Sequence, residues 1–130
     1  MYAATTQKIC VSVEPIYLED QSSPEDSQFM WAYHVRIDNR GVQSVQVLSR
    51  YWHITDSIGR IQEVRGAGVV GEQPVVKPGG SYEYTSGTPL PTPSGIMLGS
   101  YGVRTADGQQ FDIEIPAFSL DSPYQSHQLN

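Results

Sequence analysis

The stretch that decides the fold reads FMWAYHVRIDNRG and covers residues 29–41. Its large apolar side chains occupy every second position, at Phe29, Trp31, Tyr33, Val35 and Ile37. Successive side chains of a β-strand point to opposite faces, so this period of two predicts a long strand with one face on a core. Asn39 and Gly41 then supply residue types that tolerate the positive φ of a tight turn.

Similar alternation recurs along the rest of the chain. It predicts further strands at residues 9–13, 45–56, 61–64, 73–76, 81–85, 96–105 and 111–115, with a proline- and glycine-rich loop at 86–95. In the 45–56 strand, Leu48, Trp52 and Ile54 are expected on one face. Pro15 lacks a backbone donor, which favours an edge strand or a bulge, and the apolar positions after it shift to Ile16 and Leu18.

The fold class follows from the absence of any competing pattern. No window carries apolar residues at helical spacing over three turns, and the 12 glycines and 9 prolines lie between the strand patterns. These features predict an all-β, immunoglobulin- or fibronectin type III-like antiparallel β-sandwich of about seven or eight strands. We expect a single domain over residues 1–130, with core strands from about residue 7 to 116 and a C-terminal tail at 117–130.

The net charge and the cysteine content indicate which kinds of partner and which cellular compartment to expect. The net charge of -6 opposes a phosphate backbone, so nucleic acid is not an expected partner, although the scattered arginines leave a local basic patch open. Cys10 is the single cysteine and cannot form an intrachain disulfide. Without a signal-peptide pattern or a run of ~20 apolar residues, the chain is expected to be cytoplasmic and not to insert directly into a membrane.

Several sequence blocks resemble the bacterial ApaG family, also called CorD. They are RYWHI at 50–54, GVVGEQP at 68–74, YTSG at 84–87 and GSY at 99–101. The resemblance implies a fibronectin type III-like sandwich and an association with cobalt and magnesium resistance or efflux. Related domains in eukaryotic F-box and polymerase-interacting proteins resemble protein-interaction modules.

A glycine motif at Gly66, Gly68 and Gly71 reads G-x-G-x-x-G. Such a motif can cradle a pyrophosphate where a strand leads into a helix, but Pro74 and Pro78 exclude a helix here. A looser alternative is a concave site for an anion, formed by consecutive loop amides. The other interpretation is that the glycines merely permit a tight loop.

Four tyrosines are candidates for an interaction surface, because tyrosine offers a large contact area at small entropic cost. They are Tyr51, Tyr82, Tyr84 and Tyr101. The alternative is that most of the aromatic residues pack between the sheets, with their hydroxyl groups reaching water.

Neither a metal site nor a catalytic site is predicted. The three histidines and Cys10 have no metal-ligand spacing, and His34 and His127 are expected to be surface residues. Cys10 has no neighbouring base, and the acidic stretch at 19–26 has the composition of a solvated linker. No catalytic residue, metal or cofactor is therefore assigned.

Two functions remain from the sequence. The first is a non-enzymatic binding or accessory module that contacts another protein through a sheet face or through loops such as 66–74 and 89–95. The alternative is a small-ligand sensor that binds a nucleotide, pyrophosphate or a divalent metal complex at the glycine loop. A homodimer is left open.

Overall fold

Nine strands account for most of residues 1–124, the part of the chain that the computed structural model describes. They are β1 (Tyr2–Thr6), β2 (Ile9–Tyr17), β3 (Phe29–Asn39), β4 (Val45–Asp56), β5 (Ile61–Ala67), β6 (Val75–Val76), β7 (Ser81–Leu90), β8 (Ser94–Thr105) and β9 (Gln110–Asp121). Two short 3-10 helices, Glu19–Gln21 and Pro24–Asp26, connect β2 to β3. The predicted all-β class is confirmed, and the strand count is slightly higher than predicted.

The strands form two antiparallel sheets that face each other. The first sheet has the order β1-β2-β3-β7, and the second has the order β5-β4-β8-β9, with β6 pairing the start of β4. The five alternate apolar side chains of residues 29–37 are all buried, as predicted, at Phe29, Trp31, Tyr33, Val35 and Ile37. They pack into one continuous core with the inward side chains of β2, β4, β8 and β9.

The first strand was not predicted from the sequence. β1 pairs with β2 through a turn at Gln7 and Lys8, both of which have positive φ values, 45° and 67°. Two-residue hairpin turns of this kind usually carry Asn and Gly, so Gln and Lys give no recognisable signal. The predicted start of the core strands near residue 7 is therefore wrong.

Pro15 lies where β2 has a neighbour on one side only. The pairing of β1 with β2 ends at Val13, so beyond that point β2 is an edge strand although it lies inside its sheet. The register with β3 continues unbroken through Pro15 to Tyr17. The predicted shift of the apolar face is wrong, because Ile16 is 44% exposed and Tyr17 packs against the core.

A bulge in β4 changes which of its side chains face the core. The register between β4 and β8 shifts between Val47 and Ser49, which leaves Leu48 as an extra residue. Val47 is therefore buried on the same side as Trp52 and Ile54, whereas Leu48 is only half-buried. The prediction that Leu48 shares their face is wrong.

Several strands extend further than predicted, β7 and β9 by the largest margin. β7 continues through the expected loop at 86–95 as far as Leu90, because an edge strand tolerates Gly87 and Pro89. β9 continues to Asp121, so the tail does not begin at 117. A one-residue register shift opposite Pro116 keeps Phe118 and Leu120 in the core.

Candidate functional site

The candidate site is the outer face of the β5-β4-β8-β9 sheet, which points away from the core. Strand registers arrange its side chains in rows across β5, β4 and β8. The rows are Ile61-Thr55-Ile96, Glu63-His53-Leu98, Arg65-Tyr51-Ser100 and Ala67-Ser49-Gly102. The first two rows contain three large aliphatic side chains, Ile61, Ile96 and Leu98, and the last two rows contain none.

Three aliphatic side chains on this face are exposed to solvent. The exposed fractions are 61% for Ile61, 50% for Ile96 and 40% for Leu98. Ile61 and Ile96 flank Thr55 from opposite sides, and Leu98 follows Ile96 on the same face of β8. We call these three residues the apolar patch.

Next to the apolar patch, three polar side chains hold one another in place. The guanidinium carbon of Arg65 lies 4.4 Å from the ring centre of Tyr51. The Tyr51 hydroxyl donates a 2.6 Å hydrogen bond to Glu63, whose carboxylate also lies 3.4 Å from the Arg65 guanidinium. The hydrogen bond to Glu63 raises the pKa of Tyr51, so the phenol stays protonated at neutral pH.

A shallow groove begins beside Tyr51 and Arg65. It has a volume of about 510 Å³, and the rest of its lining comes from Ser49, Arg50, Gly66, Ser100, Gly102 and Asp112. A side chain at Gly102 would place its Cβ only 2.4 Å from the Ser49 hydroxyl oxygen. The groove therefore depends on glycine at this position, and it adds a polar border to the apolar patch.

The first part of the glycine motif packs against the guanidinium group of Arg50. Gly66 lies in β5 opposite Arg50, and a Cβ there would come within 2.7 Å of the Arg50 guanidinium. The Arg50 Nη1 group donates to the carbonyl oxygens of Ala67 and Gly68 at 2.9 and 3.1 Å. This part of the loop thus presents carbonyl oxygens to a cation.

The rest of the motif forms a tight turn in which backbone N–H groups already donate hydrogen bonds within the chain. The Gly68 N–H donates to the Leu48 carbonyl at 2.7 Å, and Val69 and Glu72 exchange two backbone hydrogen bonds at 2.8 and 2.9 Å. Gly71 sits at the turn with φ of 82°. These bonds give a structural reason for glycine at positions 66, 68 and 71. An anion site at this loop stays a prediction.

The four candidate tyrosines do not form one surface. Tyr84 and Tyr101 are buried between the sheets, so their assignment to an interaction surface is wrong and the alternative, packing between the sheets, holds for these two. Directly opposite residues of paired strands point to the same face of the sheet. Tyr84 lies opposite the buried Val35 and Tyr101 opposite the buried Ile113, so both tyrosines face the core. Tyr82 is half-buried at the edge of the first sheet, where its hydroxyl donates to Glu72. Only Tyr51 lies on the candidate face.

The two histidines that the structure describes, His34 and His53, lie on different sheets. On the first sheet, the ring nitrogens of His34 lie 2.8 Å from Glu83 and 2.8 Å from Thr85. His53 lies on the candidate face, and His127 is outside the described residues. Within residues 1–124, no three His, Cys, Asp or Glu side chains come together as a metal site would require. No helix in this range is long and apolar enough to cross a bilayer.

Sequence reasoning missed the apolar patch. The 96–105 strand was predicted, but its two faces were not assigned to core and solvent. Once Met97 and Tyr101 are known to be buried, the period of two places Ile96 and Leu98 outside. An isoleucine and a leucine on the polar side of a strand were the available signal.

Comparison with known proteins gives consistent results. A family model described as the ApaG domain matches residues 19–105. Protein ApaG of Paramagnetospirillum magneticum is 65% identical over 130 residues, covering all of both chains. Protein ApaG of Rhodospirillum centenum is 62% identical over 124 residues, covering 95% of each chain.

A solved structure supports the same assignment. The crystal structure of an ApaA protein from Bordetella pertussis superimposes with a TM-score of 0.86 at 50% sequence identity, covering 88% of this chain and 94% of that one. The family model spans most of the chain, and the two relatives cover 100% and 95% of it. The chain therefore belongs to the ApaG family.

Proposed function

We propose that this chain is a protein-binding accessory module whose contact surface is the outer face of the β5-β4-β8-β9 sheet. The observation that carries the proposal is the apolar patch of Ile61, Ile96 and Leu98. Contiguous exposed aliphatic side chains bordered by polar ones are typical of protein contact sites. A partner that covered these side chains would remove apolar surface from water.

The polar neighbours of the patch suit the border of such an interface. Tyrosine and arginine are enriched where proteins contact each other, and Tyr51 and Arg65 lie in the adjacent row. Their contacts with Glu63 already restrict their conformations in the free protein. Binding then loses less side-chain entropy than it would with mobile side chains.

In this proposal the module acts in the cytoplasm and performs no chemistry of its own. The association with cobalt and magnesium resistance is drawn from the family resemblance and stays a prediction. The alternative of a ligand sensor at Gly66, Gly68 and Gly71 stays a prediction as well, and the bonded amide of Gly68 offers it no support.

The test compares what the protein captures from its own cell lysate when one exposed aliphatic residue is replaced by lysine. Ile96→Lys and Leu98→Lys place a charge in the apolar patch. Ile16→Lys is the matched control, since Ile16 is also partly exposed but lies on the opposite sheet. Quantitative mass spectrometry of the captured proteins is the measurement.

The proposal expects one partner that the wild type and Ile16→Lys capture in equal amounts. Both patch variants should capture at least ~10-fold less of it, which corresponds to a loss of ~1.4 kcal/mol of binding free energy. Far-UV circular dichroism and melting temperature verify that the variants fold. If no captured protein distinguishes the patch variants from Ile16→Lys, the proposal is wrong.

A further inference from the structure

The free edge of β7 is the longest unobstructed strand edge among the described residues. β7 runs over Ser81–Leu90, and its register with β3 has no bulge. At the other sheet edges, β1 has only five residues, and β5 carries the charged side chains of Glu63 and Arg65. The edge of β9 is interrupted by a register shift, and the Glu114 N–H already donates to the Thr6 hydroxyl. Proteins usually protect long edges because unpaired backbone groups recruit another strand.

The backbone groups that face this edge can be identified from the register. Along a strand, successive residues direct their backbone hydrogen bonds to opposite neighbours. In β3, the Met30 carbonyl accepts from the Leu18 N–H on the β2 side, whereas the Asn39 N–H donates to the Gly80 carbonyl on the β7 side. The even-numbered residues of β3 therefore bond towards β2. Their partners in β7 turn their own N–H and C=O groups to the free edge. These partners are Ser81, Glu83, Thr85, Gly87 and Pro89, all exposed to solvent.

This set of groups is complementary to itself. In an antiparallel pair of β7 strands centred on Thr85, the N–H groups of Ser81, Glu83, Thr85 and Gly87 meet the carbonyl groups of Pro89, Gly87, Thr85 and Glu83 in the second copy. Pro89 has no N–H, and the only carbonyl left without a donor is that of Ser81. A register centred on Tyr84, with Ser81 opposite Gly87 and Glu83 opposite Thr85, would form the same number of hydrogen bonds and leave the Pro89 carbonyl unpaired, so the side chains choose between the two registers.

The side chains along this edge also suit the same register. Glu83 would lie opposite Gly87 of the second copy, which has no side chain and no charge to repel it. Glu83 is further held within its own chain by His34 and Arg36. Thr85 would lie opposite Thr85, a favourable cross-strand pair.

We propose that two copies of this chain pair antiparallel through β7, with the two-fold axis at Thr85, to form one continuous eight-stranded sheet from their two four-stranded sheets. An isologous contact of this kind closes on itself and yields a dimer. It leaves the apolar patch on the other sheet free, so this inference does not depend on the proposed partner surface.

A cross-linking experiment tests the register. In a Thr85→Cys variant of the full chain, the two introduced thiols would face each other across a hydrogen-bonded pair, about 5.5 Å apart between Cα atoms, within the range for a disulfide. In Glu83→Cys, the two thiols would be offset by four residues, roughly 13 Å. Cys10 is buried and present in both. We expect mild oxidation to convert Thr85→Cys into a covalent dimer at least ~10-fold faster than Glu83→Cys.

A second experiment tests the association without a cross-link. In Thr85→Lys, two lysines would lie opposite each other on the axis, and sedimentation equilibrium should show a large loss of dimer. Thr5→Lys is the control, because Thr5 is exposed on the edge strand β1 at the other side of the same sheet. Circular dichroism verifies folding. A wild-type monomer at every concentration, a dimer that survives Thr85→Lys, or equal cross-linking of the two cysteine variants would overturn the proposal.

Discussion

The hydroxyl groups of Tyr84 and Tyr101 hydrogen-bond to each other inside the sandwich and join β7 of one sheet to β8 of the other. Both side chains are buried, and their rings meet edge to face with centres 6.5 Å apart. Each hydroxyl gives the other a polar partner in an environment that otherwise offers mainly carbon. The pair is therefore a polar contact between the two sheets within an otherwise apolar core.

Removing both of these hydroxyls should cost less than the sum of the two single removals. Tyr84→Phe or Tyr101→Phe leaves the remaining hydroxyl buried without its partner, so each should lower the free energy of unfolding by about 1–3 kcal/mol. The double variant should lose less than the sum, because no hydroxyl is stranded. Urea unfolding of the four proteins measures this. Additive losses would contradict a direct bond between the two side chains.

The same pair should make the protein sensitive to alkaline pH. Burial raises the pKa of both tyrosines above the ordinary value of about 10. In the unfolded chain they ionise near that value, so the native state binds more protons and stability falls as pH rises above about 10. Melting temperatures across this range should fall less steeply in the Tyr84→Phe/Tyr101→Phe double variant. Parallel curves would contradict the assignment.

Asp56 should contribute to stability only above acid pH. Burial alone raises its pKa, but hydrogen bonds from Arg60 and from the Ile58 amide outweigh burial and hold the pKa below its ordinary value. Its contribution is complete above the unfolded pKa of about 4 and is lost as pH falls through the native pKa. The difference in melting temperature between wild type and Asp56→Asn should therefore shrink on acidification. Asp20→Asn, at an exposed carboxylate, is the control.

Asn39 should be the most sensitive polar position in the core. Its amide nitrogen donates to the carbonyls of Gln43 and Val76 at 2.7 and 2.9 Å, and its side-chain oxygen accepts from the Gly41 N–H at 2.9 Å. Asn39→Ala should cost about 2–3 kcal/mol by chemical denaturation, since it leaves buried backbone groups unpaired.

The nearly isosteric Asn39→Asp provides the comparison. It replaces the two donated bonds by an acceptor that faces two carbonyl oxygens and adds a buried charge at neutral pH. We expect it to be at least as destabilising as Asn39→Ala at pH 7. A mild effect of Asn39→Asp would mean that the amide donors contribute little.

The glycine motif should prove structural at Gly68 and more tolerant at Gly71. Both have positive φ, but a Cβ at Gly68 would lie 2.0 Å from the Glu72 carbonyl oxygen, whereas a Cβ at Gly71 would meet nothing within 4 Å. Gly71→Ala should therefore cost only the backbone penalty of about 1–2 kcal/mol, and Gly68→Ala clearly more. Equal losses in thermal unfolding would contradict the close approach.

The sequence by itself determined the elements whose signal is local. The alternation at residues 29–37 predicted β3 and its buried face, and similar patterns predicted all-β architecture and the positions of most other strands. Local patterns also decided against a pyrophosphate cradle between a strand and a helix at Gly66, because Pro74 and Pro78 cannot continue a helix. The blocks around Arg50 and Gly68 indicated the family, which the comparisons confirmed.

Only the tertiary structure decided which side of each strand faces the core and which strands lie at an edge. An alternating pattern looks the same in the sequence whichever of the two faces points to the core. The extra residue at Leu48 also reverses which positions face the core within β4. Tyr84 and Tyr101 could not be recognised as buried partners, since they belong to different sheets. The apolar patch and the open edge of β7 likewise arise from cross-strand register, a relation between residues far apart in the chain.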